Sequence, residues 1–436
     1  MTARDTAVDI LVKITRDGAY GNILLKNALD SLPDPRERAF ATELVNGCLR
    51  NLIFLDHVIG SASSAPLNKI KPVIMAILRA GAYQILYMER VPASAAIDEA
   101  VKLAKRRKFG GLAGFVNAVL RSVARRADEV RKSGGNLVES FGLPDMVSEP
   151  LRRLSIEYSM PRWIVEMAAA QRGLGWAEAF CRGSAYAPYV GLCVNTLRTD
   201  RPSLIEILKS EGAEIADEVF HENFISVRGF SGIAGRKSFL DGLYHVMDPG
   251  AAAPVDMLDP RPGDEILDMC AAPGGKSLYA AYKMENRGRV TAWDIHPRKA
   301  GLISEAAWRL GATIIEAGEM DARRPSSGRK YSKILLDAPC SGLGVLKKKP
   351  DIKYSLKEKD IAPLVALQRE LLASAAGLCA AGGRVVYSTC TVSAEKNEEN
   401  AAWFAEKFGF SVEGEECTLP ARGTDGFYSV KMIKNK

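Results

Sequence analysis

Histidine is scarce in this chain, with four in 436 residues, at His57, His221, His245 and His296, scattered widely. None of the eight cysteines sits in a Cys-x-x-Cys pair. That scatter excludes the usual ligand spacings of a zinc site, and no metal is expected. Eight cysteines in a chain of this length do not describe a disulfide framework either. Most are expected to be small buried hydrophobes in a reducing compartment. No run reaches the eighteen or so uninterrupted apolar residues of a membrane span. The first residues, Met1-Thr-Ala-Arg-Asp-Thr-Ala-Val-Asp, lack the apolar core of a signal peptide. A cytoplasmic protein with no membrane partner is the expectation. Low-complexity tracts and fixed-period repeats are missing too, which sets solenoids aside.

What is present is a globular composition, 47% hydrophobic and 25% charged. The length predicts two or three domains. The net charge of +7 says little by itself, but its distribution says more. Between Val101 and Lys132 ten lysines and arginines face only Asp128 and Glu129, a local net of +8. Such a segment suits a polyanion such as nucleic acid, with a solvated helical face as the plain alternative.

Residues 1–130 read as successive helices. Ala7, Ile10, Leu11 and Ile14 recur at helical spacing, and Val73-Ile-Met-Ala-Ile-Leu is apolar all round, as in a helix buried inside a bundle. From Leu112 to Val123, residues Phe115, Val116, Val119, Leu120 and Val123 share one face, while Asn117, Arg121 and Arg125 form another stripe. Four blocks carry a resemblance here. They are Ala3-Arg4 with Ala7 to Leu11, then Arg36-Glu-Arg-Ala-Phe-Ala-Thr-Glu-Leu-Val-Asn-Gly, then Pro92-Ala-Ser-Ala-Ala-Ile-Asp-Glu-Ala-Val-Lys-Leu-Ala, and Phe115-Val-Asn-Ala-Val-Leu-Arg. The segment resembles the NusB family of all-helical RNA-binding domains, which implies a NusB-like bundle over residues 1–140.

Ser133-Gly-Gly-Asn reads as a loop, and a hinge is expected between Pro144 and Pro161. A helix is expected after Ser159 with Pro161 in its first turn. Val190-Gly-Leu-Cys-Val-Asn-Thr-Leu reads as a strand, followed by a helix from Pro202 to Gly212. Residues 141–244 are thus a linker helix and a small α+β module, in which Asn195, Arg198 and Arg201 are candidate RNA contacts or plain surface residues.

From residue 245 to 436 strands and helices alternate, the grammar of an α/β Rossmann-like domain. A short strand ends at Asp268, a turn of small residues follows through Cys270, Ala271, Ala272, Pro273, Gly274 and Gly275 to Lys276, and a helix opens near Ser277. Small residues there let backbone amides approach a ligand, and a helix N-terminus favours negative charge. The next strand ends at Asp294, where a doubly wound fold places an acid for ribose hydroxyls, the other reading being a helix N-cap. Asp321 closes a third strand within reach of an adenine amine. Two later strands end at Asp337 with Cys340, and at Cys390. In an open α/β sheet ligands bind outside the carboxyl ends of the strands, so Asp268, Asp294, Asp337, Cys340 and Cys390 converge on one crevice. For Cys270 a structural role is preferred.

The runs Leu267-Asp-Met-Cys-Ala-Ala-Pro-Gly-Gly-Lys-Ser, Asp337-Ala-Pro-Cys-Ser-Gly-Leu-Gly and Tyr387-Ser-Thr-Cys-Thr carry a second resemblance. Lys349-Pro-Asp-Ile-Lys, Glu395-Lys-Asn-Glu-Glu-Asn and Asp425-Gly-Phe-Tyr support it. The chain is similar to the NOP/Sun family of RNA cytosine-C5 methyltransferases, and within it to the Sun (RsmB) branch. The resemblance implies S-adenosylmethionine as cofactor, Cys390 as the nucleophile at cytosine C6, and Cys340 as the thiol that assists product release. Lys276 and Asp337 would line the base, while Cys270 to Lys276, Asp294, Asp321 and Asp337 would surround the cofactor. A thiol is needed because C5 of cytosine is a poor nucleophile until a thiolate adds to C6. DNA cytosine-C5 enzymes use a Pro-Cys thiol instead, so the presence of both cysteines argues for RNA. The branch implies a cytosine in small-subunit ribosomal RNA, free or in an assembly intermediate, acted on by a monomer; a tRNA enzyme and a non-catalytic RNA-binding assembly factor are the alternatives. Met247, Trp293 and Lys347-Lys-Lys depart from the branch's usual residues.

Overall fold

The computed structural model describes residues 2–17, 24–25, 28–29, 32–326 and 328–435. The helical reading of residues 1–130 also runs over 18–23, 26–27 and 30–31, which lie outside the described residues. Two compact units form: Met1–Ala185 with Leu346–Lys357, and Tyr186–Val345 with Glu358–Lys436.

The first unit is helical. Helix Ala3–Asp17 buries Ala7, Ile10, Leu11 and Ile14, as their spacing predicts. Helix Pro35–Arg50 is capped by Asp34, whose carboxylate accepts the Arg36 amide at 2.8 Å. Helix Pro72–Tyr87 is buried at twelve positions from Ile74 to Leu86, and a run apolar all round can be satisfied only inside a bundle. Helix Ala113–Ser133 buries Val116, Val119, Leu120 and Val123 and leaves Arg121 and Arg125 in solvent. The cationic segment is partly neutralised. Lys102, Arg106, Arg107 and Lys132 pair with carboxylates, and Arg126 and Arg131 donate to backbone carbonyls. Lys105, Lys108, Arg121 and Arg125 are exposed and make no ion pair among the described residues.

This unit runs past the boundary expected at residue 140. The span expected to be a hinge holds helix Pro150–Glu157, followed by Arg162–Arg172 and Leu174–Ala185. Their apolar faces, including Leu154, Ile164, Val165 and Phe180, are buried, and the Phe54 amide donates to Ser159 Oγ at 2.9 Å. The break in packing comes instead between Ala185 and Tyr186. The Lys349–Lys353 motif also belongs to this unit. Lys353 donates to the carbonyls of Arg50 at 3.0 Å and Ser159 at 2.8 Å, and burial pulls its pKa down to about 7.

The second unit contains two sheets. The smaller is antiparallel, in the order β2-β3-β1-β4, from β1 (Val190–Val194), β2 (Glu214–Ile215), β3 (Phe224–Arg228) and β4 (Tyr244–Val246). Helix Arg201–Ser210 packs Leu204 and Leu208 with Leu192, Val194 and Ile225. Here one candidate RNA contact, Asn195, is corrected. Asn195 is fully buried and donates to the Gly242 and Leu310 carbonyls, Arg198 donates to the Asp241 carbonyl, and Arg201 to that of Phe224. They close loops of their own unit.

The larger sheet has seven strands in the order β10-β11-β9-β8-β5-β6-β7. These are β5 (Glu265–Asp268), β6 (Arg289–Asp294), β7 (Ile315–Glu319), β8 (Tyr331–Asp337), β9 (Cys379–Thr389), β10 (Phe410–Thr418) and β11 (Phe427–Lys434). Strands β5 to β9 pair in parallel, and β11 and β10 add an antiparallel edge. The segment Glu358–Leu378, which contains helix Ile361–Leu378, is long and apolar enough to cross a membrane by composition, but Leu371, Leu372, Ala375 and Ala376 belong to the sheet's core. Strand order reverses between β5 and β8, which opens a crevice at their carboxyl ends.

Candidate active site

The turn after β5 is built tightly. Gly274 has φ +100°, and a β-carbon there would lie 3.1 Å from Ile303, so both conformation and space call for glycine. The Ala271 amide donates to the Trp293 carbonyl at 2.8 Å and the Gly274 amide to the Ala271 carbonyl at 2.7 Å. Helix Gly275–Lys283 follows, and Ser277 donates to Asp268 Oδ2 at 2.6 Å. Asp268 Oδ1 is buried without a well-formed hydrogen bond, and burial pushes this carboxyl up to about 6.

Beside the turn lies a cavity of about 370 Å³ at the ends of β5, β6, β7 and β8. Met269, Met320, Leu367 and Leu371 make its walls apolar, while Cys270, Asp294 and Asp321 also face it. Asp294 accepts the His296 amide at 3.0 Å, but helix Pro297–Leu310 is capped at His296, so the N-cap reading does not hold. Asp321 is held by Arg323 at 2.7 Å and 2.9 Å, which lowers its pKa. Burial pushes the Cys270 thiol up, in keeping with an unreactive wall residue. Ala271 to Lys276 and Asp337 do not line this cavity. Trp293 packs into the core, edge-on to Tyr331, and does not line the cavity.

The reactive groups meet between β8 and β9. Asp337 and Ser388 are directly opposed in the parallel ladder, so the Pro-Cys and Thr-Cys loops leave the sheet side by side. Lys276 Nζ donates to Asp337 Oδ2 at 2.6 Å, Ser388 Oγ donates to Asp337 Oδ1 at 2.9 Å, and the ammonium sits 5.4 Å from the Phe427 ring centre. Burial opposes the Lys276 charge, yet Asp337 overrides it and raises the ammonium's pKa. Cys340 Sγ and Cys390 Sγ lie 3.2 Å apart as free thiols. Their hydrogen bond and the backbone amides of Gly342 and Cys390 lower the Cys340 thiol. The same hydrogen bond, burial and the Asp337 charge raise Cys390, against the pull of Lys276. The two thiols are thus coupled, and a second thiolate beside the first is opposed.

Sequence reasoning missed the frame that holds the thiols. Lys396 is fully buried and donates to Ser341 Oγ at 2.8 Å; Ser341 Oγ meets Thr391 Oγ1 at 2.7 Å. One ammonium thus braces the residues that follow both cysteines. Asn397 spans Thr389 Oγ1 at 2.6 Å and the Thr391 carbonyl at 3.1 Å, and Asn400 supports Gln368, which donates to the Pro339 carbonyl. The available signal was the polar run Glu395 to Asn400 directly after the Thr-Cys motif, too polar for the interior it occupies. On the other side, a β-carbon at Gly344 would lie 2.0 Å from the Gly426 carbonyl oxygen, and the Gly344 amide donates to the Cys390 carbonyl at 2.9 Å.

A doubly wound sheet with a Gly-rich first turn and acids at the next strand ends is the frame of an S-adenosylmethionine-dependent methyltransferase, and the family match that follows makes it an RNA methyltransferase. Residues 255–430 match the family 16S rRNA methyltransferase RsmB/F, and residues 1–125 match the NusB family. The chain is 40% identical to a probable ribosomal RNA small subunit methyltransferase B of Bacillus subtilis, over 99% of each chain. It is 32% identical to the Synechocystis protein of the same description, over 93% of this chain and 89% of that one. The chain belongs to the RsmB/F methyltransferase family. Its fold matches the crystal structure of PH0851 with TM-score 0.76 and 24% identity over 99% of each chain. It also matches NSun6 from Pyrococcus horikoshii with TM-score 0.58 and 23% identity, over 63% of this chain and 98% of that one.

Burial pulls Lys396 down to about 8, while Cys340, Glu395 and Cys390 push it up. Below that pH its charge stabilises a thiolate on the pair, alongside Lys276 and against Asp337. In Lys396→Met the pH midpoint for alkylation of Cys340 by iodoacetamide, read site by site by mass spectrometry, is expected to rise by about one unit. An unshifted midpoint in a folded variant would show that the ammonium does not govern the thiols.

Proposed function

We propose that this chain is a 16S rRNA cytosine-C5 methyltransferase that works through a covalent adduct between Cys390 and C6 of the target base. The observation that carries the reading is the pair of thiols 3.2 Å apart, placed by adjacent strand ends beside the Lys276–Asp337 ion pair. A proton passes from Cys390 Sγ to Cys340 Sγ, and the Cys390 thiolate adds to C6. The C5–C6 π electrons move to C5, which becomes nucleophilic. Bound S-adenosylmethionine supplies an electrophilic methyl group. Asp337 offers a hydrogen-bond acceptor to the ring's exocyclic amine and Lys276 a proton toward N3, so charge developing on the ring is met inside a low-dielectric crevice. After methylation a base removes the C5 proton, the C5–C6 double bond reforms, and the C6–S bond breaks. Cys340 then protonates the departing Cys390 thiolate.

The cavity suits the cofactor by volume and chemistry. Asp294 would take the ribose hydroxyls, Asp321 the adenine amine, and the unpartnered Oδ1 of buried Asp268 the cofactor's ammonium. NSun6, similar in fold, was solved with SFG, an S-adenosylmethionine analogue. The description of the relatives as small-subunit rRNA methyltransferases supports the substrate. We assign RNA binding to residues 1–140 and to the α+β module within 141–244, and catalysis to 245–436, in the cytoplasm. The target is expected in an unpaired segment, where turning a base out of its stack costs least.

Bisulfite sequencing of rRNA from a deletion strain should show one 16S cytosine losing its 5-methyl mark. Wild-type protein should restore it and Cys390→Ala should not. Unchanged 16S modification would sink the reading, and a lost mark in tRNA would transfer it to that substrate.

A second outcome follows from Asp268. Its carboxyl, raised to about 6 in the folded protein, must ionise to meet a cationic group. Cofactor affinity should therefore rise with pH up to about 6 and level off above it. Titration calorimetry between pH 5 and 7 checks this, with Asp268→Asn expected to bind more weakly and without that slope. A flat wild-type profile would contradict the role.

A further inference from the structure

A second cavity in the same unit, about 380 Å³, is lined by two tyrosines and two arginines. The Arg422 guanidinium lies 5.2 Å from the Tyr186 ring centre, and that of Arg228 lies 4.4 Å from the Tyr189 ring centre. Arg228 also donates to the Tyr189 hydroxyl and reaches Glu214 at 3.8 Å. Arg422 is exposed and pairs with no carboxylate among the described residues. A guanidinium stacked on a ring keeps its in-plane N–H fork for phosphate oxygens and offers its outer face to another π system. Tyr189 is buried, so its pair would meet a ligand through the Arg228 guanidinium, while Tyr186 is only half-buried; two such ring–guanidinium pairs around one hollow match a splayed nucleotide better than a protein side chain.

The position of this hollow relative to the thiols is set by a short, fastened stretch of chain. Arg422 stands four residues from Gly426, at most about 14 Å of extended backbone. The Ala421 amide donates to the Thr424 carbonyl at 2.9 Å, which turns that stretch and shortens its reach. The Asp425 amide is fastened to Asp248 at 2.9 Å. Gly426 donates to the Gly344 carbonyl at 2.9 Å, and Gly344 to that of Cys390, also at 2.9 Å. Arg422 therefore lies within a few nucleotides' reach of the Cys390 loop.

We propose that the Tyr186–Arg422 and Tyr189–Arg228 stacks form an RNA subsite that takes an unpaired nucleotide flanking the target cytosine, with its base on the stacks and its phosphate on Arg422. This rests on the RNA reading above, so binding and turnover are measured separately. The probe is a single-stranded 16S rRNA fragment transcript, in filter binding and in methylation assays. Tyr186→Ala and Arg422→Gln should each raise Kd and KM for the transcript about tenfold, leaving kcat at saturating RNA and the cofactor's Kd unchanged. Tyr186→Phe should bind like the wild type. Arg422→Gln alone should reduce the salt slope of binding by about one, as loss of a phosphate contact requires. Wild-type Kd and KM in both Tyr186→Ala and Arg422→Gln would overturn the subsite. A wild type that binds the transcript but methylates no RNA would overturn the catalytic reading instead, with the binding comparison still deciding the subsite.

Discussion

The approach of Cys340 and Cys390 to 3.2 Å is the constraint around which the second unit is arranged. It needs β8 and β9 to be parallel neighbours in the register that opposes Asp337 to Ser388, because a slip of one residue would turn one loop's side chains to the opposite face. It also needs both loops to be tied down beyond the strands, where no ladder holds them. Lys396, Ser341 and Thr391 do this on one side, and Gly344 with Gly426 on the other. The motif Asp425-Gly-Phe-Tyr belongs to the same device, since Gly426 fastens the Gly344 loop and Phe427 lies under Lys276.

Electrostatics explains why so polar a set is buried. An ammonium removed from water loses several kcal/mol of solvation. For Lys396 one hydroxyl hydrogen bond returns about 1.5–3 kcal/mol, and no carboxylate pairs with it among the described residues. The balance improves when a thiolate is nearby, so the lysine and the thiol pair favour each other's charged forms. Lys276 is settled differently, by direct contact with Asp337. The crevice thus holds one cation committed to a carboxylate and one available to sulfur.

Much of this was legible in the sequence. Strand ends announced themselves as apolar runs terminating in Asp268, Asp294, Asp337 and Cys390, because buried parallel strands are continuous hydrophobic segments. Helix Pro72–Tyr87 was legible for the same reason, its apolar residues lacking a polar face. The domain boundary was not, because Ser133-Gly-Gly-Asn and the proline-rich stretch after it look like a linker locally. What ties residues 150–185 to the first unit is long-range contact, with Ile156 packed against the helical core and Ser159 accepting the Phe54 amide. Asn195 failed as an RNA candidate because its amide is turned inward onto two loop carbonyls, which a polar residue in a strand end does not announce. Lys396 was invisible as a functional group, since nothing in a polar run tells which lysine is turned inward.

The division of labour between the thiols is tested most directly by incubating Cys340→Ala with cofactor and total cellular RNA and running a denaturing gel. The account predicts a slower, RNase-sensitive band that vanishes when Cys390→Ala is added to the same protein. A band that forms in Cys390→Ala and depends on Cys340 would reverse the two roles. The absence of any adduct, under conditions where the wild type methylates RNA, would contradict the covalent account itself.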